Sequence, residues 1–185
     1  MQDQELYFIA IIPPEPIYND VMELKYHLAE NYESKAALRS PPHITLHMPF
    51  KWRQDKEERV EEVLKDLVSD QPLIDLELTG FGAFKPRTIF IQVEKNEPLS
   101  ELHIALKKSM KRKLNIFNAD YQDRPFHPHM TVAFRDLKKT QFTKAWEKLK
   151  SEPFEASFTV GDISLLKHNG KFWKVHQSFK FDSKN

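Results

Sequence analysis

Two short stretches of this sequence hold the residue types that proton-transfer chemistry needs. Pro42-His43-Ile44-Thr45-Leu46 and Pro128-His129-Met130-Thr131-Val132 each set a histidine two residues ahead of a threonine, behind a proline and before an aliphatic residue. Residues i and i+2 of a strand share a face, so His43 stands beside Thr45 and His129 beside Thr131. Imidazole titrates near pH 6.5, about where a group can both give and take a proton in neutral solution. Two imidazoles in one cleft supply an acid and a base together, and a threonine hydroxyl can donate to a non-bridging phosphate oxygen. That set suits displacement at phosphorus, with one ring deprotonating the nucleophile and the other protonating the leaving oxygen. It requires no metal and no organic cofactor.

The elements that must position these residues alternate between strands and helices. Residues 6–12 form a short apolar run closed by Pro13-Pro14, which reads as a buried strand. Ile17, Val21, Leu24 and Leu28 then recur at helical spacing. Residues 43–49 alternate as a strand, and residues 54–68 form a charged helix with Val60, Val63, Leu64 and Leu67 inward. Residues 73–84 and 88–93 pair about the turn Lys85-Pro86-Arg87, and a third helix covers 99–114. After a polar loop come a strand at 129–134, a short helix at 140–149, and a strand pair at 154–166 and 172–181 about Asn169-Gly170. The second half weakly repeats the first, with residues 78–82 matching 158–162 and residues 87–91 matching 170–174. Such a duplication places the two His-Thr strands across a pseudo-twofold axis, facing one cleft.

Composition narrows the chemistry further. With 185 residues, 40% hydrophobic and 30% charged, the chain is globular and of a size for one domain, expected to span 1–185 as two similar lobes. The absence of cysteine excludes thiol catalysis, iron–sulfur clusters, Cys-based zinc sites and disulfides. Four glycines leave no Gly-rich phosphate loop, and no nucleophile elbow is present. The net charge of +1 hides an asymmetry: residues 1–92 hold 10 Lys+Arg against 16 Asp+Glu, and residues 93–185 hold 18 against 11. A basic half of this kind can focus an anionic ligand. No basic region precedes an apolar stretch at the N-terminus, and a membrane span needs about 20 apolar residues. A soluble, cytoplasmic, monomeric protein is expected.

With both motifs in view, the chain resembles the 2H phosphoesterase superfamily, and within it the LigT-like (2′-5′ RNA ligase) RNA 2′,3′-cyclic phosphodiesterases. The likeness rests on His43-Ile44-Thr45-Leu46, His129-Met130-Thr131-Val132, the opening strand Phe8-Ile9-Ala10-Ile11-Ile12-Pro13, Phe126 ahead of Pro128-His129, and the 84–93 hairpin. It implies an α+β bilobal fold, with two antiparallel sheets lining a central groove and helices outside. It implies opening of 2′,3′-cyclic phosphates of RNA ends or nucleotides to 2′-phosphates, and in some members joining of 2′-5′ RNA linkages. His43 and His129 would be the catalytic pair and Thr45 and Thr131 the oxyanion holders. In the family the first histidine is usually the proton donor and the second the acceptor; the near-equivalent halves here leave the order open. The first motif continues His47-Met48-Pro49-Phe50 where family members often have Phe-Leu-Gly. The arginine that members carry five residues after the second histidine is Phe134 here, with Arg135 next to it, so Arg135 is taken as a substrate-binding candidate.

Other residues could support the same site. His127 stands two residues before His129 and is a candidate substrate contact; a zinc site built on it and His43 would lack further ligands. His47 is expected on the face of Thr45, also within reach of substrate. Phe84 and Phe126 are candidate platforms for a nucleobase, while Phe50, Trp52, Phe81 and Phe134 read as core. Arg39, Lys51, Arg53, Lys85, Arg87 and Arg124 lie in or near turns where they could grip flanking phosphates. Two other readings remain open: a non-catalytic RNA- or nucleotide-binding module on the same groove, and a phosphodiesterase for a small cyclic nucleotide such as a cyclised ADP-ribose product.

Overall fold

The computed structural model describes residues 3–120 and 124–182. Within them the elements run β1 (Gln4–Ile11), α1 (Ile17–Tyr32), β2 (Ile44–Arg53), α2 (Glu57–Val68), β3 (Ile74–Phe84), β4 (Thr88–Val93), α3 (Glu97–Leu114), β5 (His129–Ala133), α4 (Lys139–Leu149), β6 (Glu155–Val160), β7 (Asp162–His168) and β8 (Trp173–Lys180). The strands lie in the order β6-β3-β4-β5-β2-β1-β7-β8, every neighbouring pair antiparallel. Where two sheets were expected there is one eight-stranded sheet, whose halves β5-β4-β3-β6 and β2-β1-β7-β8 join through a single residue pair, Ile44 with Met130.

The pseudo-twofold relation is written into the strand register. Ile11, Ala10 and Ile9 pair with Ile44, Thr45 and His47. Ile91, Phe90 and Ile89 pair with Met130, Thr131 and Ala133 in the same pattern. After each threonine the motif strand advances two residues while its neighbour advances one, so β2 and β5 carry matching bulges. The equivalence of the hairpins does not hold in space. β4 lies directly beside β5, whereas β8, which matches it in sequence, is an edge strand; β1 fills the place beside β2.

A second correction concerns residues 154–166, which read as one strand. The chain breaks at Gly161: β6 pairs with β3 and β7 pairs with β1, so the two strands serve opposite sheets. Phe181 N–H donates to the Gly161 carbonyl at 2.8 Å and holds the crossing.

The helices cover one face of both sheets. Ile9, Ile11, Ile44, Leu46, Ile89, Ile91, Met130 and Val132 pack there against Leu28 of α1, Leu64 of α2, Leu106 of α3 and Phe142 of α4. Asn96 caps α3, its Oδ1 accepting from Leu99 N–H at 2.9 Å, and Asn115 ends the helix in the left-handed region. On the opposite sheet face Phe8, Ala10 and Leu166 form a smaller cluster with Ile12 and Trp173. That face carries His43 and Thr45, because Ile44 and Leu46 between and beyond them point to the helices. No helix among the described residues is long and apolar enough to cross a membrane.

Candidate active site

The Ile44–Met130 pair sets the site's geometry. In an antiparallel pairing, that register puts His43 across from Thr131 and His129 across from Thr45, all on the face away from the helices. The two rings are close enough that a proton on His129 disfavours one on His43.

Both rings are held in the same way. His43 Nδ1–H donates to the carbonyl of Pro41 at 2.7 Å, and His129 Nδ1–H donates to the carbonyl of His127 at 2.6 Å. In each case the acceptor lies two residues earlier. A carbonyl oxygen can only accept, so both Nδ1 atoms carry the hydrogen and each Nε2 is left to exchange protons with a ligand. The proline before each histidine keeps the preceding backbone extended and brings that carbonyl back toward the ring. Burial lowers the pKa of both rings. His43 falls to about 4, through burial first and then the Lys25 charge. His129 is lowered through burial and the neighbouring His127.

Aromatic side chains pack around each ring. Phe8 lies 4.9 Å from His43 and 4.7 Å from Trp173, centroid to centroid. Phe90 lies 4.9 Å and Phe84 5.1 Å from His129, and His127 stands 5.8 Å away. Of the residues singled out in the sequence, His43, Thr45, His129, Thr131, Phe84 and His127 thus gather on one face. Phe84 is 44% exposed and keeps a free ring surface.

Two expected residues lie elsewhere, and a third, Arg135, meets only its neighbour Phe134 among the described residues. The β2 bulge turns His47 to the helix face opposite Ile9, where it is fully buried and senses His103 and Asp120, so it does not share the face of Thr45. Its Nδ1 donates to the Met48 carbonyl at 2.8 Å, and its Nε2 has no partner among the described residues. Phe126 stacks on His103 at 3.9 Å with the rings 3° from parallel, and His103 in turn pairs with Asp120 at 2.9 Å. Arg135 follows the end of β5 with φ +61, exposed, its guanidinium over the Phe134 ring at 5.1 Å.

Lys25 was legible as an anomaly, since it sits on the apolar stripe of α1 four residues after Val21 and three before Leu28. It is 1% exposed, and its Nζ donates to the carbonyls of Ala37 at 3.2 Å and Ser40 at 3.1 Å. Asp136 holds the same segment from the other motif's side, accepting from Lys35 N–H at 2.8 Å and Ala36 N–H at 2.9 Å. The backbone that leads into His43 is therefore fixed by α1 on one side and by the loop after β5 on the other.

Burial pushes Lys25 down to about 7 from an ordinary 10.5. The unfolded chain binds this proton up to pH 10.5 and the folded chain only to about 7, so folding stability rises with pH across that window. Between pH 7 and 9 the wild type gains about 2 kcal/mol relative to Lys25→Met, as one proton's linkage requires. Urea midpoints of both proteins at the two pH values check this. Parallel changes in the two would contradict it.

Among the described residues, one group is spaced to hold a metal ion: Glu57, Glu61 and His176. It stands on the helix side, where Tyr7 and Lys167 already donate to Glu57, Lys167 at 3.1 Å. Tyr7 points away from the face of its neighbour Phe8, so this group is separate from His43 and His129.

The chain is 29% identical over 177 residues, 94% of each chain, to a Geobacillus kaustophilus protein whose name provisionally places it among the phosphoesterases. It is 26% identical over 174 residues, 92% of this chain and 94% of the other, to a Bacillus cytotoxicus protein named in the same way. In fold it is similar to Escherichia coli LigT solved with 3′-AMP, with a TM-score of 0.72, 20% identity, and 97% and 99% of the two chains covered. A Thermus thermophilus protein gives a TM-score of 0.70 at 19% identity over 97% of this chain and 100% of the other. The sequence model of the 2′-5′ RNA ligase superfamily matches residues 13–172, a span that takes in both His-Xaa-Thr strands. The chain is therefore a phosphoesterase-fold member of the 2′-5′ RNA ligase superfamily.

Proposed function

We propose that this protein is a phosphodiesterase that opens 2′,3′-cyclic phosphates of RNA ends or nucleotides to 2′-phosphates, without a metal, using His43 and His129. The observation that carries the reading is the matched pair of imidazoles, each with Nδ1–H fixed to the carbonyl two residues back and Nε2 without a hydrogen-bond partner among the described residues. The superfamily match supports a phosphoester substrate. The similar LigT fold solved with 3′-AMP, NADP+ and ATP supports a nucleotide in the groove.

In this mechanism the cyclic phosphate lies between the two Nε2 atoms. One neutral Nε2 takes a proton from water as its oxygen forms a bond to phosphorus. The other, protonated, gives its proton to the 3′ oxygen as that P–O bond breaks. The products are a 2′-phosphate and a 3′-hydroxyl, and the two rings have exchanged protonation states. Thr45 and Thr131 donate to the non-bridging oxygens, where charge accumulates in the transition state. A ribose 5′-hydroxyl in place of water would yield a 2′-5′ linkage by the same steps. Lys25 bears on His43 and disfavours its proton. In the singly protonated site the ring that holds the proton serves as the acid and the other as the base.

A single proton shared by two rings fixes the pH dependence. At low pH both rings are protonated and no base remains; at high pH both are neutral and no acid remains, and burial lowers the pKa of both. The profile of kcat/KM is thus bell-shaped with its maximum on the acid side of pH 6.5, the ordinary histidine value. The direct test is hydrolysis of the four nucleoside 2′,3′-cyclic monophosphates in EDTA across pH 4–8. Turnover with 2′-phosphate product and an acid-side maximum is expected. No turnover of any of them would contradict the proposal.

A further inference from the structure

A cavity of about 310 Å³ lies against the segment that leads into His43. Its walls come from three places: Tyr18 of α1, Arg39 and Pro41 of the segment that leads into His43, and Phe172, Trp173 and Lys174 at the start of β8. Two of these residues tie it to the catalytic face. The Pro41 carbonyl is the one that fixes His43 Nδ1. Trp173 packs on Phe8, and Phe8 packs on His43.

The lining has a definite chemistry. Arg39 and Lys174 are exposed and make no ion pair or hydrogen bond among the described residues, and no carboxylate lines the cavity. Phe172 is 37% exposed, and with Trp173 and Tyr18 it offers flat apolar surface. Lys171 lies over the Phe172 ring at 5.1 Å, and Trp173 packs on Phe8 and His168, so Phe172 is the ring a base would stack on by displacing Lys171. Free cations beside such a ring match a phosphorylated nucleoside, whose base stacks while its phosphate meets the charges. The volume lies at the small end of ligand pockets, about 300 Å³ and upward, so one nucleoside fits and a longer chain does not.

We infer that this cavity binds the nucleoside on the 5′ side of the cyclic-phosphate end, with Arg39 and Lys174 on the phosphodiester that joins it. The inference rests on the proposed reaction and deepens it: an RNA end of at least two nucleotides is preferred over a mononucleotide. Phe84 and His127, on the far side of the histidines, would then face the terminal nucleoside.

The test compares kcat/KM for a mononucleotide 2′,3′-cyclic phosphate, the same compound with a 5′-phosphate, and dinucleotide and trinucleotide cyclic phosphates. The dinucleotide should exceed the mononucleotide by about tenfold to a hundredfold, the range set by one stacked base. The 5′-phosphate alone should recover part of that gain, and the third nucleotide should add nothing. In Arg39→Gln/Lys174→Gln and in Phe172→Ala the dinucleotide-to-mononucleotide ratio should fall toward one. Equal rates for wild type on both substrates, or a ratio that both variants leave intact, would overturn the inference. Binding of the dinucleotide and mononucleotide 2′-phosphates, titrated without turnover, separates the two proposals. A binding preference that the variants abolish, with no hydrolysis of any cyclic phosphate, would keep the subsite and discard the reaction.

Discussion

Replacing His129 with alanine should lower kcat/KM for a 2′,3′-cyclic phosphate by about 10²–10⁴-fold, the usual contribution of one positioned proton-transfer group. His43→Ala should cost about the same, since the two rings act at opposite ends of one displacement. Neither change should unfold the protein. Both rings sit at the open face, and each loses one hydrogen bond, to Pro41 or His127, worth about 0.5–1.5 kcal/mol. The loss should appear in kcat more than in KM, because the proton transfers are made in the transition state. Progress curves on one cyclic nucleotide, with circular dichroism to check folding, decide it. Activity within a few fold of wild type in either variant would remove that histidine from the chemistry.

The second large effect is expected at Gly82, a residue that touches no ligand. Gly82 pairs directly across from Phe90, and the Phe90 ring lies over its bare backbone. A Cβ there would come within 2.6 Å of Phe90 Cζ, closer still to Cε2, and 3.2 Å from Gln92 Cγ. Phe90 is 3% exposed and is wedged against Phe84, His127 and His129, so it cannot swing clear. Gly82→Ala should therefore destabilise the fold by about 1–3 kcal/mol, as overpacking does. It should also displace His129, and an error of about 1 Å at a reacting group can cost about a hundredfold in rate. Gly161→Ala is the control: its Cβ would meet only Leu73 Cδ2, at an ordinary 3.5 Å. Thermal unfolding and kcat/KM for both variants are the measurements. Equal behaviour of the two would show that the Phe90 contact does not position His129.

Much of this arrangement was legible in the sequence because it depends on short-range periodicity. The spacing of Ile17, Val21, Leu24 and Leu28 gave α1, and the i, i+2 relation put each threonine beside its histidine. What depends on register was not legible. Nothing in His43-Ile44-Thr45-Leu46-His47 announces a bulge, so His47 read as a groove residue until its pairing with Ile9 turned it inward. Phe8 and Phe90 were not among the site candidates for a related reason. They belong to the site through strands beside the motifs, and neighbours in a sheet are fixed by pairing across long sequence distances. The break at Gly161 was hidden because an apolar run looks alike whether it feeds one sheet or two. Lys25 was visible as a charge on an apolar stripe. Its role in fixing the Ala37 and Ser40 carbonyls needed the path of the segment before His43.

The most direct test of the central claim, that the two histidines serve one reaction as a pair, is kcat/KM of the His43→Ala/His129→Ala double variant beside the single variants on one cyclic nucleotide. Groups that act as a unit are strongly non-additive, so the account predicts that the double variant is about as slow as either single one. Losses that multiply, so that the double variant falls by the product of the single effects, would mean that the rings act independently and would contradict the paired mechanism.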